Sequence, residues 1–124
     1  MAVTKTVWTE GQTLRAAATL AAGATATHDL DIDAAGYDTV TLQFDIAHSS
    51  SSGVTVDLLS SSDSGTSNDT VSLAGGFATD GTDAIKTVVV MGHAHIRVSI
   101  TNDDGTNATG NISVLYAGRQ WQTT

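Results

Sequence analysis

Tyr37-Asp38-Thr39-Val40-Thr41-Leu42-Gln43-Phe44-Asp45-Ile46-Ala47 is the stretch that decides the fold. Val40, Leu42, Phe44 and Ile46 recur at every second position, with Thr39, Thr41, Gln43 and Asp45 between them. A period of two is that of a strand with one face buried. Outward from it the same rule holds at Gly53 to Leu59, with Val54, Val56 and Leu58 inward, and at Ala94 to Ile100, with Ala94, Ile96, Val98 and Ile100 inward. Asn111 to Ala117 follows with Ile112, Val114 and Tyr116. The run Val88-Val89-Val90 within Ile85 to Met91 reads as a strand covered on both faces.

The amino-terminal third carries a weaker pattern. Val3 to Trp8, Thr13 to Leu20 and Ala26 to Ile32 read as strands, with Ala16-Ala17-Ala18 and Ala21-Ala22 also compatible with a helical turn. Residues that tolerate positive φ punctuate the segments at Ala35-Gly36, Ser64-Gly65, Gly75-Gly76, Asp80-Gly81, Gly92 and Asp104-Gly105. Asn102-Asp103-Asp104-Gly105, between two alternating runs, is the strongest hairpin signal. Ser49 to Ser52 and Ser60 to Asn68 read as exposed loops. The expected fold is all-β: one antiparallel β-sandwich or jelly-roll-like domain of about seven to nine short strands. It spans residues 1–124, with extended arms at about 1–9 and 118–124.

Composition agrees with that reading. The chain holds Thr 20 and Ser 12 among 124 residues, Asp 12 against a single Glu, and Lys5 and Lys86 as its lysines. Helix surfaces are built from the straight-chain residues that are scarce here. Lys+Arg 5 against Asp+Glu 13 gives a net charge of −8, which opposes binding to nucleic-acid phosphates and to anionic membranes. With Cys 0 there is neither a disulfide framework nor a thiolate site. The first residues lack the layout of a signal peptide, and no apolar run reaches the ~20 residues that span a bilayer, so the expectation is synthesis in the cytoplasm without export. The matches to the glycosylation sequon at Asn68, Asn107 and Asn111 then mark polar turns only.

Candidate chemistry is sparse. His93 and His95, two apart on a strand, would share a face and offer two imidazoles to a metal, which needs a further ligand from His28, His48 or an Asp; the other readings are solvated strand histidines or a pH-sensitive subunit contact. Asp29, Asp31 and Asp33 alternate on one face and Asp103-Asp104 occupy a turn, but Ala34 stands where the calcium loop needs glycine and Val40 where it needs an acid. No metal or other cofactor is expected. No G-x-S-x-G elbow or carboxylate pair supports hydrolysis, and Gly75-Gly76 lacks the residues of a phosphate loop, so the chain reads as a non-enzyme. Trp8 and Trp121 lie near opposite chain ends. Either the first and last strands pair and the two rings close one end of the sandwich, or the terminal segments anchor on a neighbouring subunit through Trp and Arg119. The candidate subunit-interface residues are Trp8, His93, His95, Arg119 and Trp121.

Gly36-Tyr37-Asp38-Thr39-Val40-Thr41-Leu42, Gly53-Val54-Thr55-Val56-Asp57-Leu58-Leu59 with its Ser-rich sequel, and His95-Ile96-Arg97-Val98-Ser99-Ile100-Thr101-Asn102 resemble segments of the small accessory virion proteins of tailed bacteriophages. The resemblance is to the capsid decoration, or cement, type. It implies a protein on the capsid exterior that bridges adjoining subunits of the major capsid protein, associates as a homotrimer, and binds neither nucleic acid nor membrane. A tail, baseplate or fibre component is the neighbouring alternative. From another class, a carbohydrate-binding sandwich module would need exposed rings from among Trp8, Trp121, Tyr37, Tyr116, Phe44 and Phe77.

Overall fold

The computed structural model describes residues 4–61, 71–73 and 75–123. Its strands are β1 (Thr4–Ala18), β2 (Thr25–Asp31), β3 (Thr39–Ile46), β4 (Val54–Ser61), β5 (Val71–Ser72), β6 (Phe77–Thr79), β7 (Ala84–Met91), β8 (His95–Asn102) and β9 (Ile112–Thr123). One sheet, called A, has the order β1-β9-β3-β7; the other, B, has the order β2-β8-β4-β5, with β6 also paired to β4. All pairings are antiparallel. Two such sheets, with successive strands alternating between them and β5 and β6 sharing one edge, form the jelly roll that the alternation implied.

The core lies where the period-two residues meet. Val40, Leu42, Phe44 and Ile46 of β3 face Val54, Val56 and Leu58 of β4 and Ile96, Val98 and Ile100 of β8, all fully buried or nearly so. Phe44 meets Phe77 edge to face, with centroids 5.2 Å apart at 79°, and so joins sheet A to the β6 margin of sheet B. On the other side, Arg15 of β1 approaches His28 of β2, Nη1 to Nε2 at 3.3 Å, and also donates to Ile112 O. Burial, then the Arg15 charge, push the His28 imidazole below its ordinary pKa.

Three expectations need correction. β7 is not covered on both faces: it is the open edge of sheet A, and Ile85, Val89 and Met91 stay well exposed while Val90 alone is buried. Two strands expected before residue 20 are one, because Gly11, at φ 71, carries β1 through a bulge between Thr9 and Gln12. The turn after Asn102 makes no hairpin. β8 pairs β2 and β4 in sheet B whereas β9 lies in sheet A, so residues 103–111 cross from one sheet to the other, and Gly105 does not use positive φ. Gly36, Gly75, Gly81 and Gly92 do use it. The Ser64-Gly65 turn, most of the Ser60 to Asn68 loop, the Asn68 sequon and Val3 lie outside the described residues.

The crossing segment is organised by Asn102, 1% exposed. Its Nδ2 donates to Leu20 O, Ala21 O and Asn107 O, and its Oδ1 accepts from Ser51 Oγ and Asp104 N. Asp104 in turn accepts from the amides of Thr106, Asn107 and Ser52. These bonds hold its carboxyl down at about 2.

Candidate subunit interface

The histidines do not converge. β8 begins at His95, so His93 sits in the turn behind Gly92 and not on a shared strand face. His93 lines an open cleft of about 290 Å³ with Asp33, Tyr37, Asp38, Gly92 and Ala94. His95 opens the outward row of β8, opposite Asp31 and Ser61, yet is 3% exposed, and among the described residues neither ring nitrogen has a hydrogen-bond partner. His28 is on the β1/β2 side, and His48 is buried in the turn after β3. Among the described residues, no three His, Asp or Glu side chains come within reach of one metal ion.

His48 heads an array with the order of a hydrolase relay: Asp83 Oδ1 lies 3.6 Å from Nδ1, and Nε2 lies 2.6 Å from Thr79 Oγ1. The bonding around it argues against that role. The Thr79 hydroxyl donates to Val54 O, so the network assigns the proton between His48 and Thr79 to the imidazole, which therefore cannot take one from the hydroxyl. Asp83 Oδ1 accepts the His48 backbone N–H at 2.8 Å instead of orienting the ring. The array pins the turn to β6.

Trp8 and Arg119 are brought together. The β1/β9 register sets Trp8 opposite Arg119 and Thr6 opposite Trp121, so residues 4–7 and 120–123 pair with each other as a ribbon running past the end of β3. The Arg119 Cζ stands 6.0 Å from the Trp8 ring centroid, and its Nε donates to Asp38 at 2.9 Å. Gln120 ties the base of the ribbon to Ala35 O. The Trp8 ring lies on the outside of sheet A, not across the sandwich end; the Trp121 side chain lies outside the described part. Behind the pair, Tyr37 packs on Gly118 and meets Tyr116 edge to face at 6.4 Å.

The wider setting was not visible in sequence. Among the described residues, Trp8, Ile85, Val89, Met91 and Leu115 are the exposed large hydrophobics, 39% to 66% accessible. By register all lie on the outward face of sheet A, where Thr39 is flanked by Met91 and Arg119, Thr41 by Val89 and Ala117, Gln43 by Thr87 and Leu115, and Asp45 by Ile85 and Ser113. The outward positions of β3, β7 and β9 within the β3 register thus carry one Asp and one Arg. The outward face of sheet B is of another kind, with Thr25, Thr27, Asp29 and Asp31 on β2, Arg97, Ser99 and Thr101 on β8, and Thr55 and Asp57 on β4, the Arg97 guanidinium gripping Asp29. One face carries the exposed large hydrophobics, set among hydroxyl and amide side chains; the other is hydroxyl-rich and acidic.

No known family matches the sequence, and no curated protein does. Solved structures share the fold. The SPBc2 prophage-derived protein YomS superposes with a TM-score of 0.50 at 12% identity, covering 97% of each chain. A β-porphyranase of glycoside hydrolase family 86 from Bacteroides plebeius does so at 0.53 and 13%, over 98% of this chain and 22% of that one. The VP2 subviral particle of infectious bursal disease virus gives 0.49 and 13%, over 97% and 33%. Proteins of this fold therefore include a prophage product and part of an enzyme, and at these identities the likeness is one of fold alone. Among the described residues no helix is long and apolar enough to cross a membrane.

Proposed function

We propose that this chain is a non-enzymatic structural protein of a phage virion, a capsid decoration protein that lies on the capsid exterior and braces neighbouring copies of the major capsid protein. The observation that carries the reading is the division between its two faces: every exposed large hydrophobic among the described residues is on the outside of sheet A. A free monomer rarely leaves such a strip beside an open sheet edge uncovered. Trp8, held under Arg119, supplies the rigid aromatic and cation that anchor protein contacts. The acidic opposite face keeps the particle surface charged and soluble. The resemblance to decoration proteins supplies the capsid as partner and three as the number of copies.

A sugar-binding module is the second reading. Its place would be the hollow of about 300 Å³ lined by Thr79, Asp80, Thr82, Asp83 and Lys86, which offers hydroxyls and charges but no ring on which a sugar stacks. Sedimentation of native lysate, with the chain followed by mass spectrometry across the gradient, separates the two. Co-migration with megadalton particles through high salt supports the virion role; recovery only as a small species refutes it and brings the sugar reading forward.

A further inference from the structure

β1 ends sheet A and β2 ends sheet B, so the two strands face each other across one side seam of the sandwich. At one end of the seam the loop between them is tied down by Asn102, which reaches Ala24 O through its backbone amide and Leu20 O and Ala21 O through its side chain. Further along, a side-chain pair bridges it. His28 stands in the inward row of β2, between Ala26 and Leu30, a row that packs on the apolar core. The Arg15 guanidinium reaches it from β1, Nη1 to Nε2 at 3.3 Å, while Nε donates to Ile112 O at 3.1 Å and Nη2 to Ala18 O and Thr19 O at 3.3 Å each. We propose that this pair is an acid-operated latch: when His28 takes up a proton its bond to Arg15 is lost and the seam between β1 and β2 opens. The inference goes beyond the capsid role and does not rest on it.

The chemistry of the pair sets the direction. A guanidinium has donors only, so His28 Nε2 is the acceptor and the neutral ring carries its proton on Nδ1. A proton added at Nε2 sets donor against donor and places a second positive charge beside the first. Arg15 cannot give up its charge, and three backbone carbonyls hold the rest of its fork. The half-buried His28 ring, on an edge strand, is therefore the partner that swings out to water.

The groups around the ring leave that repulsion in place. Opposite His28 in the β8 register is Val98, and opposite Arg15 in the β9 register is Val114. Asp29, next along β2, favours the charged ring but projects to the outer face of sheet B, where it accepts from Arg97 Nε at 2.7 Å and Nη2 at 3.1 Å. Burial and then the Arg15 charge outweigh it, so the imidazole is harder to protonate than an ordinary histidine. The closed seam thus favours the neutral ring: closure is complete above the ordinary value of 6.5 and is lost as pH falls below it. Opening uncovers Leu14 of β1 and Ala26 and Leu30 of β2, all packed on the core. Because β1 stays paired with β9 along its length, one margin loosens while the sandwich remains.

The absence of cysteine gives a clean test, since a thiol placed at Ala26 would be the only one in the full chain. In Ala26→Cys, the labelling rate relative to an unstructured peptide thiol at the same pH should rise several-fold between about pH 7.5 and about pH 5. Adding His28→Gln, which keeps an acceptor for Arg15 and cannot titrate, should abolish that rise. In the wild type at about pH 7.5, the nitrogen chemical shifts of the His28 ring should place the proton on Nδ1, and Arg15→Gln should move the midpoint of the ring's titration upward. A labelling ratio that is the same at both pH values, or that rises equally with His28→Gln, overturns the proposal. So does a proton on Nε2 of the wild-type ring, a result that needs no variant to fold.

Discussion

Asn102→Ala should cost this domain about 3 kcal/mol, although it removes a single small amide. The side chain donates at 3.2, 3.2 and 2.8 Å to Leu20 O, Ala21 O and Asn107 O, and accepts at 2.7 Å from Ser51 Oγ and at 3.1 Å from Asp104 N. Several partners keep another bond after truncation: Leu20 O retains Thr109 N, Ala21 O retains Ala24 N, and Ser51 Oγ retains Gly53 O. Asn107 O and Asp104 N lose theirs in a partly buried place, at about 1 kcal/mol or somewhat more each, and the lost Ser51 bond adds about 1 kcal/mol. An unfolding entropy of roughly 2 cal/mol/K per residue converts the sum into a Tm about 12 °C lower. Urea titration should show a lower midpoint with an unchanged slope, since the two sheets stay intact. A loss below about 1 kcal/mol would refute the reasoning, because Asn102 would then not be what ties the loops at residues 20, 51 and 104 together.

Phe44→Ala removes the ring that spans the sheets toward Phe77 and should cost about 3–5 kcal/mol in the same titration. Gly118→Ala sets a methyl into the space of the Tyr37 ring and should cost about 1–3 kcal/mol, of which Tyr37→Ala in the same chain restores part. The Asp104 carboxyl is held at about 2 against an ordinary 3.8, so its contribution is present above pH 4 and lost as pH falls toward 2; acid unfolding of Asp104→Asn should lack that segment of the pH dependence.

Legibility followed the range of the interactions involved. Strands β3, β4, β8 and β9 could be read because their alternation records a sheet with one buried face, and Phe44 and Val98 sit where that alternation put them. β7 could not: Val88, Val89 and Val90 look the same whether the outer face is covered by protein or left open, and only the strand order decides. Turn chemistry at Asn102 to Gly105 was visible, but the choice between a hairpin and a crossing depends on which strand β9 joins, far along the chain. Trp8 and Arg119 were marked by residue type alone, and the β1/β9 register that places one over the other is long-range. His93 and His95 were read as one strand face because Gly92 gave no sign that the turn extends through His93. Nothing in sequence singled out Asn102 from other polar turn residues, since three of its five bonds join it to segments distant in the chain.

The central claim is that this protein works by burying the outer face of sheet A against other subunits, and one comparison tests it most directly. Purified particles stripped of the chain are mixed with the wild type, with Val89→Asp plus Met91→Asp, and with Asp57→Lys on the opposite face, then sedimented and quantified. The account predicts that the wild type and Asp57→Lys return to the particles while the sheet A variant stays in the supernatant. Equal binding of all three, or loss on Asp57→Lys alone, would contradict it.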